Sequence, residues 1–123
     1  MRIKKILVTG ANGTLGSAIL ELLKQKKINH VGVFSKKTDM TNLKKLDNLF
    51  KLKKPNYVIH CANKVFGIGG NTQKKFEMIN ENLIINSNLL KVCKKYKIKK
   101  ILCIGSSAVY SDKFKKNIIE RNI

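Results

Sequence analysis

A chain of 123 residues accommodates one ordinary domain and not two. Its 43% apolar residues suffice for a core, and no apolar run approaches the ~20 residues that a transmembrane helix needs. The N-terminal stretch, two lysines followed by a few apolar residues, is too short for a secretory signal, so a soluble, cytoplasmic protein is expected.

The 26 Lys+Arg against 7 Asp+Glu give a formal net charge of +19. All but Arg2 and Arg121 of the basic residues are lysine. A surface built to grip phosphates uses the planar arginine fork as well. Together with abundant Ile and Asn, this points to a compositional bias toward AT-rich codons. Such a chain attracts polyanions non-specifically. The five Phe and three Tyr fall mostly on apolar faces and make no stacking platform, so specific nucleic-acid binding is not expected. Cys61, Cys93 and Cys103 are odd in number and lack CxxC or Cys/His spacing. The expectation is no metal site and three reduced, buried thiols.

In chain order, Ile3–Thr9 is an apolar run ending at glycine and is predicted as a strand. Thr14–Lys26 has helical spacing, with Leu15, Ala18, Ile19, Leu22 and Leu23 on one face. His30–Phe34 is a second strand. Thr41–Leu52 is a helix with Leu43, Leu46, Leu49 and Phe50 as its stripe, and Thr41 or Asn42 can cap it. Pro55 stops that helix, and Tyr57–Cys61 forms a third strand. A long helix is predicted over Asn71–Tyr96, with Phe76, Ile79, Leu83, Leu90 and Cys93 on its buried side. Lys100–Ile104 is the fourth strand. No element is read in the lysine-rich tail after Tyr110. Strands alternating with helices build parallel βαβ units, and continuous apolar strands fit a sheet covered on both faces. The fold class is therefore α/β, a Rossmann-like parallel sheet that stops after its fourth strand.

The sharpest local signal is Thr9-Gly10-Ala11-Asn12-Gly13-Thr14-Leu15-Gly16, between the first strand and the first helix. Gly10 permits the tight turn, Gly13 a close approach of backbone to a pyrophosphate, and Gly16 close packing of helix on strand. The helix N-terminus offers unpaired N–H groups to phosphate. A glycine-rich turn without a ligand is the bland alternative. A site preferring NAD places an acid at the end of the second strand, on the ribose hydroxyls. Here that strand ends Phe34-Ser35-Lys36-Lys37, which suits a 2′-phosphate, so NADP is favoured over NAD. Asp39 comes late for the ribose.

The Thr-Gly-x-x-Gly-x-x-Gly spacing resembles that of the extended short-chain dehydrogenase/reductase family, the nucleotide-sugar epimerases and dehydratases. Further segments match in order. Asp39-Met40-Thr41 resembles the family's segment near the adenine, and Val58-Ile59-His60-Cys61-Ala62 the strand whose end lines the nicotinamide side. Asn82 falls where the family has a helical asparagine. Gly105-Ser106-Ser107-Ala108-Val109-Tyr110 resembles the strand end with the catalytic hydroxyl. The stretch Cys61-Ala62-Asn63-Lys64-Val65-Phe66-Gly67-Ile68 is most similar to the GDP-L-fucose synthase branch.

The resemblance implies NADP(H) bound by Gly10, Ala11, Asn12, Gly13, Thr14, Leu15, Gly16, Ser35, Lys36, Lys37, Asp39, Met40, Cys61, Ala62, Lys64, Gly105, Ser106 and Ser107. It implies Ser106 as the catalytic hydroxyl and a nucleotide sugar as substrate. In the branch, a 4-keto sugar is epimerised beside its ketone and then reduced by hydride, with a tyrosine giving the proton. This sequence departs from the pattern at Ala108, Phe66 and Asn63. No Tyr-x-x-x-Lys follows Ser106. Tyr96 and Lys100 have that spacing but precede the serine and are read as coincidence. Residues 1–123 are thus expected to be a partial dinucleotide-binding domain without its substrate lobe, inactive alone and completed by a C-terminal half. A stand-alone dinucleotide-binding module without catalysis and a fragment of another nucleotide-sugar epimerase/dehydratase are the competing readings.

Overall fold

The computed structural model describes residues 4–106. Four short strands, β1 (Ile6–Thr9), β2 (His30–Val33), β3 (Tyr57–His60) and β4 (Lys100–Cys103), alternate with helices α1 (Thr14–Gln25), α2 (Leu43–Lys53), α3 (Gly67–Gln73) and α4 (Lys75–Lys95). The sheet is parallel in the order β2-β1-β3-β4. Its register pairs Thr9 with both Val33 and His60, and His60 with Cys103, so all four strands end level along one edge. The chain goes from β1 to one side for β2, then crosses back over β1 to β3. This reversal puts a topological switch point between β1 and β3, where such sheets open a crevice for ligands.

Alternation along β1 sends Leu7 and Val8 to opposite faces, and both are fully buried. On the Leu7 face, Val33 and Val58 meet Leu46 and Phe50 of α2 and Leu89, Val92 and Cys93 of α4. On the other face α1 lies against β1 and β2, with Leu20 close to Gly32. Helices therefore cover both faces.

The elements fall where the sequence pattern puts them except in the third helical region, though β1 begins at Ile6 and α2 at Leu43, later than expected. The single helix expected over Asn71–Tyr96 is two helices, α3 and α4, which meet at Lys74. Of the stripe expected to be buried on α4, only Cys93 is. Phe76, Ile79, Leu83 and Leu90 are exposed, while Asn88, Leu89, Val92 and Cys93 face the core. Apolar residues occupy both sides of α4, and the polar Asn88 interrupts the face that is buried. Asn88 is accommodated because its side-chain amide donates to the carbonyls of Met40 (3.1 Å) and Thr41 (2.8 Å). Leu15 and Leu22 of α1 and Leu43 of α2 are likewise exposed rather than buried. Cys103 is exposed at the end of β4, contrary to the expectation that all three thiols are buried.

Lysine occupies an uncommon position at three helix ends. Lys27, Lys54 and Lys97 have φ of 54°, 48° and 52°, in the left-handed region that favours glycine. After α1, Ile28 N–H donates to the Leu23 carbonyl and Lys27 N–H to that of Lys24. After α4, Ile98 N–H donates to the Cys93 carbonyl and Lys97 N–H to that of Lys94. These are Schellman turns, each leading into the next strand. Lys97→Gly is expected to stabilise the chain by about 0.5–1 kcal/mol, read by urea denaturation, because the Cβ strain disappears.

Phe50 is fully buried and packs against Tyr96 with ring centroids 6.0 Å apart, whereas Phe76 is 78% exposed. Phe50→Ala should cost about 3–5 kcal/mol in the same assay, and Phe76→Ala less than about 0.5 kcal/mol.

Candidate functional site

The loops leaving β1 and β3 touch at the switch point. A Cβ on Gly10 would lie 2.8 Å from the Ala62 nitrogen and from the Cys61 carbonyl group, and its φ is +66°. Only glycine fits there. A Cβ on Gly16 would lie 2.1 Å from the Gly10 oxygen, so Gly16 allows α1 to start directly beneath the turn. Gly13 differs, because a Cβ there meets only the Gly10 oxygen at 3.3 Å. It caps α1 in an extended conformation. No side chain caps this helix end, and no acid lies in the first turn. The α1 N-terminus therefore presents backbone N–H groups and its partial positive charge to whatever lies beyond Gly13.

Beyond it lies an open groove of about 670 Å³. Gly10, Asn12, Gly13, Ser35, Asp39, Met40, Cys61, Ala62 and Lys64, all expected from the sequence, line it. Ala11 lies underneath, buried, with its N–H bonded to the Val33 carbonyl. Gly16 is buried as well, while Thr14 and Leu15 are exposed on the first turn. Lys36 and Lys37 are exposed on the turn just past Ser35, outside the groove lining. The Asn12 amide donates to Ser35 Oγ (3.3 Å), and its oxygen accepts from the Ser35 N–H (3.4 Å), joining the glycine loop to that turn.

The Asp39 carboxylate is already engaged. One oxygen accepts from both the N–H (2.9 Å) and the hydroxyl (2.6 Å) of Thr41. These bonds, hydroxyl first, hold its pKa below the ordinary value, with smaller help from Lys45 and Lys64. Asn42 caps α2, its oxygen accepting from the Lys45 N–H at 3.0 Å. On the opposite wall, the Asn82 side chain pins Lys64. It accepts from the Lys64 N–H (2.7 Å) and donates to the Lys64 carbonyl (3.0 Å). Lys64 Nζ lies 3.6 Å from Glu81 and, like Lys74, stands over the Phe66 ring.

Gly105 lines a smaller cavity of about 330 Å³, which shares Cys61, Ala62 and Asn63 with the groove and is also walled by His60, Asn86 and Cys103. Ser106 is exposed just past Gly105. Ser107, Ala108 and Tyr110 lie outside the described residues. Tyr96 and Lys100 stand at the opposite end of the sheet, where the Tyr96 hydroxyl donates to the Asp47 carbonyl (3.3 Å). Among the described residues no cluster of three His, Cys, Asp or Glu could hold a metal, and no helix is long and apolar enough to cross a membrane.

Sequence reasoning missed several groove residues. Val33, Thr38, Glu81, Ile84 and Ile85 all line it. Val33, as the last residue of its strand, could have been placed from the level strand ends. The three α4 residues could not, once the wrong face of that helix was taken as buried. Also missed was a polar chain beneath the groove. Thr9 Oγ1 accepts from the backbone N–H groups of Cys61 (3.1 Å) and Ala62 (3.2 Å) and lies 2.7 Å from His60 Nδ1. His60 Nε2 lies 2.8 Å from the Asn86 side-chain oxygen.

Burial pushes the His60 imidazole below its ordinary value of 6.5, and the Asn86 bond opposes this in part. Burial likewise raises the Cys61 thiol, and burial followed by the nearby Cys103 thiol pushes Cys93 up to about 11. For His60 the unfolded chain takes up its proton first as pH falls, so the folded state loses stability on acidification. The contribution is complete above pH 6.5 and is lost as pH drops through the lower folded value. Urea midpoints should therefore fall on acidification below pH 6.5, and His60→Gln should flatten that slope.

Comparison with known proteins places this geometry. Residues 6–122 match the model of the NAD dependent epimerase/dehydratase family. A GDP-L-colitose synthase of Yersinia pseudotuberculosis is 38% identical over 106 residues, covering 86% of this chain and 34% of that protein. A GDP-L-fucose synthase of Dictyostelium discoideum is 34% identical over 113 residues, covering 89% of this chain and 35% of that protein. The crystal structure of a GDP-L-fucose synthetase from Naegleria fowleri bound to NADP superposes with a TM-score of 0.83 at 29% identity, covering 99% of this chain and 36% of that one. The chain thus spans about a third of the length of these relatives. With nearly all of its residues inside the match, the chain belongs to the NAD dependent epimerase/dehydratase family.

Proposed function

We propose that residues 1–123 are the dinucleotide-binding part of an NADP(H)-dependent nucleotide-sugar epimerase/reductase, whose complete form acts on a GDP-linked 4-keto sugar. The observation that carries this reading is the uncapped α1 N-terminus, with glycine at its cap, facing the groove at the switch point. Gly10 and Gly16 are glycines because the fold leaves no room for a side chain. Gly13 is less confined, since a Cβ there would meet only the Gly10 oxygen, at a tight 3.3 Å, and a close-lying pyrophosphate is the further reason for glycine at this position.

The preference for NADP rests on the turn after β2. Ser35, Lys36 and Lys37 would hold a 2′-phosphate with a hydroxyl and two ammonium groups. Asp39 is the nearby acid; Thr41 bonds one oxygen of its carboxylate and so fixes where that negative charge sits. At the other end, Ser106 follows β4 on the same edge of the sheet as the groove. Its hydroxyl would hydrogen-bond the keto oxygen of the sugar. Bound NADPH supplies the hydride to the ketone carbon. The proton donor and the sugar-binding lobe lie outside these residues. This polypeptide by itself would bind NADP(H) and not turn over a nucleotide sugar. The GDP-sugar substrate class is carried over from the names of the relatives that share this part of the fold.

Titration of the chain with NADPH, followed by the reduced cofactor's fluorescence, should show saturable binding about tenfold tighter than NADH, from the charged contacts to the 2′-phosphate. Gly13→Ala should weaken binding, with a smaller loss of thermal midpoint than Gly16→Ala because its Cβ would crowd only the Gly10 oxygen, at 3.3 Å. Gly16→Ala should lower the midpoint itself, because its Cβ would meet backbone. The reading is wrong if neither dinucleotide binds the chain or the chain joined to a matching C-terminal portion.

A further inference from the structure

The polar chain under the groove fixes its own proton positions. A hydroxyl has one proton and two acceptor lone pairs. Both lone pairs of Thr9 are taken by the N–H groups of Cys61 and Ala62. The Thr9 proton must therefore go to His60 Nδ1, 2.7 Å away. That nitrogen is then the bare one, the imidazole is neutral, and its proton sits on Nε2, where it is donated to the Asn86 oxygen at 2.8 Å. Every bond in the chain has a single direction: Asn86 accepts from His60, His60 accepts from Thr9, and Thr9 accepts from the backbone after β3.

We propose that Thr9, His60 and Asn86 are positioning residues for the cofactor groove, and that proton uptake by His60 loosens dinucleotide binding. The inference rests on the reading of the groove as an NADP(H) site. None of the three side chains needs to touch the cofactor. They act through Cys61 and Ala62, which line the groove and abut Gly10 so closely that no Cβ fits between them. A proton on His60 Nδ1 would point at an oxygen whose lone pairs are both engaged. Thr9 must then turn and release the N–H of Cys61 or Ala62. The freed segment is the one that fixes the groove wall against the glycine turn.

The surroundings of His60 single it out as the group that responds. Its own strand end contributes the Cys61 thiol, β4 the Cys103 thiol, β1 the neutral Thr9, and α4 the neutral Asn86 with Leu89 and Leu90. No carboxylate or ammonium lines this cavity among the described residues.

Two measurements test the proposal on the 123-residue chain. The first is nitrogen-15 NMR of its histidines without cofactor. The expected result is the Nε2–H tautomer for His60, titrating at more acid pH than a free imidazole. An Nδ1–H tautomer, or titration at or above the free value, overturns the proposal. The second is NADP⁺ affinity by calorimetry between pH 7.5 and 5.5. The parent should weaken more over that range than His60→Gln, by less than about tenfold because a group titrating below 6.5 is only partly protonated by pH 5.5, while the cofactor's own phosphate titrates equally in both. At pH 7.5, Thr9→Ser should keep parental affinity and Thr9→Val should lose about tenfold. Equal pH profiles for parent and His60→Gln, or parental affinity in Thr9→Val, overturn the positioning role. Absence of NADP⁺ binding at every pH instead overturns the dinucleotide reading and, with it, the coupling to His60, while the NMR result still decides the proton positions.

Discussion

The close approach of the chain leaving β1 to the chain leaving β3 constrains everything else in this structure. Gly10 lies against the backbone of Cys61 and Ala62 with no space for a side chain. That contact requires the two strands to end level, which the register supplies by pairing Thr9 with His60. It also requires α1 to begin at once, which Gly16 permits by sitting under the Gly10 carbonyl. The direction of α1, and so the direction of its N-terminal N–H groups, follows from these two glycines. A groove with an anion-attracting end is therefore a consequence of how tightly the first and third strands are joined.

Around that junction the walls are set by side chains that bond to backbone. Asn88 reaches from α4 to the carbonyls of Met40 and Thr41, Asn82 brackets Lys64, Asn12 ties the glycine turn to Ser35, and Thr9 gathers the two N–H groups after β3. A loop segment has no ladder partner, and a buried or half-buried N–H without one is costly. Short amide and hydroxyl side chains supply those partners at fixed length. The groove is consequently shaped by polar residues that are not themselves its charged elements.

The glycine spacing, the strand ends and the alternation of elements were legible because each reflects a local rule. The turn needs glycine at Gly10, a parallel strand buried on both faces is continuously apolar, and Pro55 cannot extend a helix. The buried face of α4 was not legible. Phe76, Ile79, Leu83 and Leu90 form an apolar stripe as regular as the true one, and the true one contains Asn88, whose bonds exist only after α2 and its preceding loop have docked. The break at Lys74 had no proline to announce it. Cys103 reads as core from its apolar neighbours, but among the described residues β4 has a sheet neighbour on one side only, and that is a property of the whole sheet. The Thr9–His60 chain was hidden for the same reason. Its members lie 51 residues apart and meet only through β-pairing.

The lysine excess takes on a definite meaning when the positions are compared. Lysine fills three left-handed helix ends where glycine would be less strained and where its charge meets the negative end of the helix dipole. Elsewhere it stands on exposed faces, and among the described residues two ion pairs, Lys64–Glu81 and Lys95–Asp47, engage it. Such a surface raises the encounter rate of any polyanion without choosing among them. Discrimination has to come from places where the charge is positioned. Lys36 and Lys37 follow Ser35, which is bonded to the glycine turn through Asn12, and Thr41 holds one oxygen of the neighbouring Asp39 carboxylate. Of the many lysines, these two follow a backbone whose position side-chain hydrogen bonds fix.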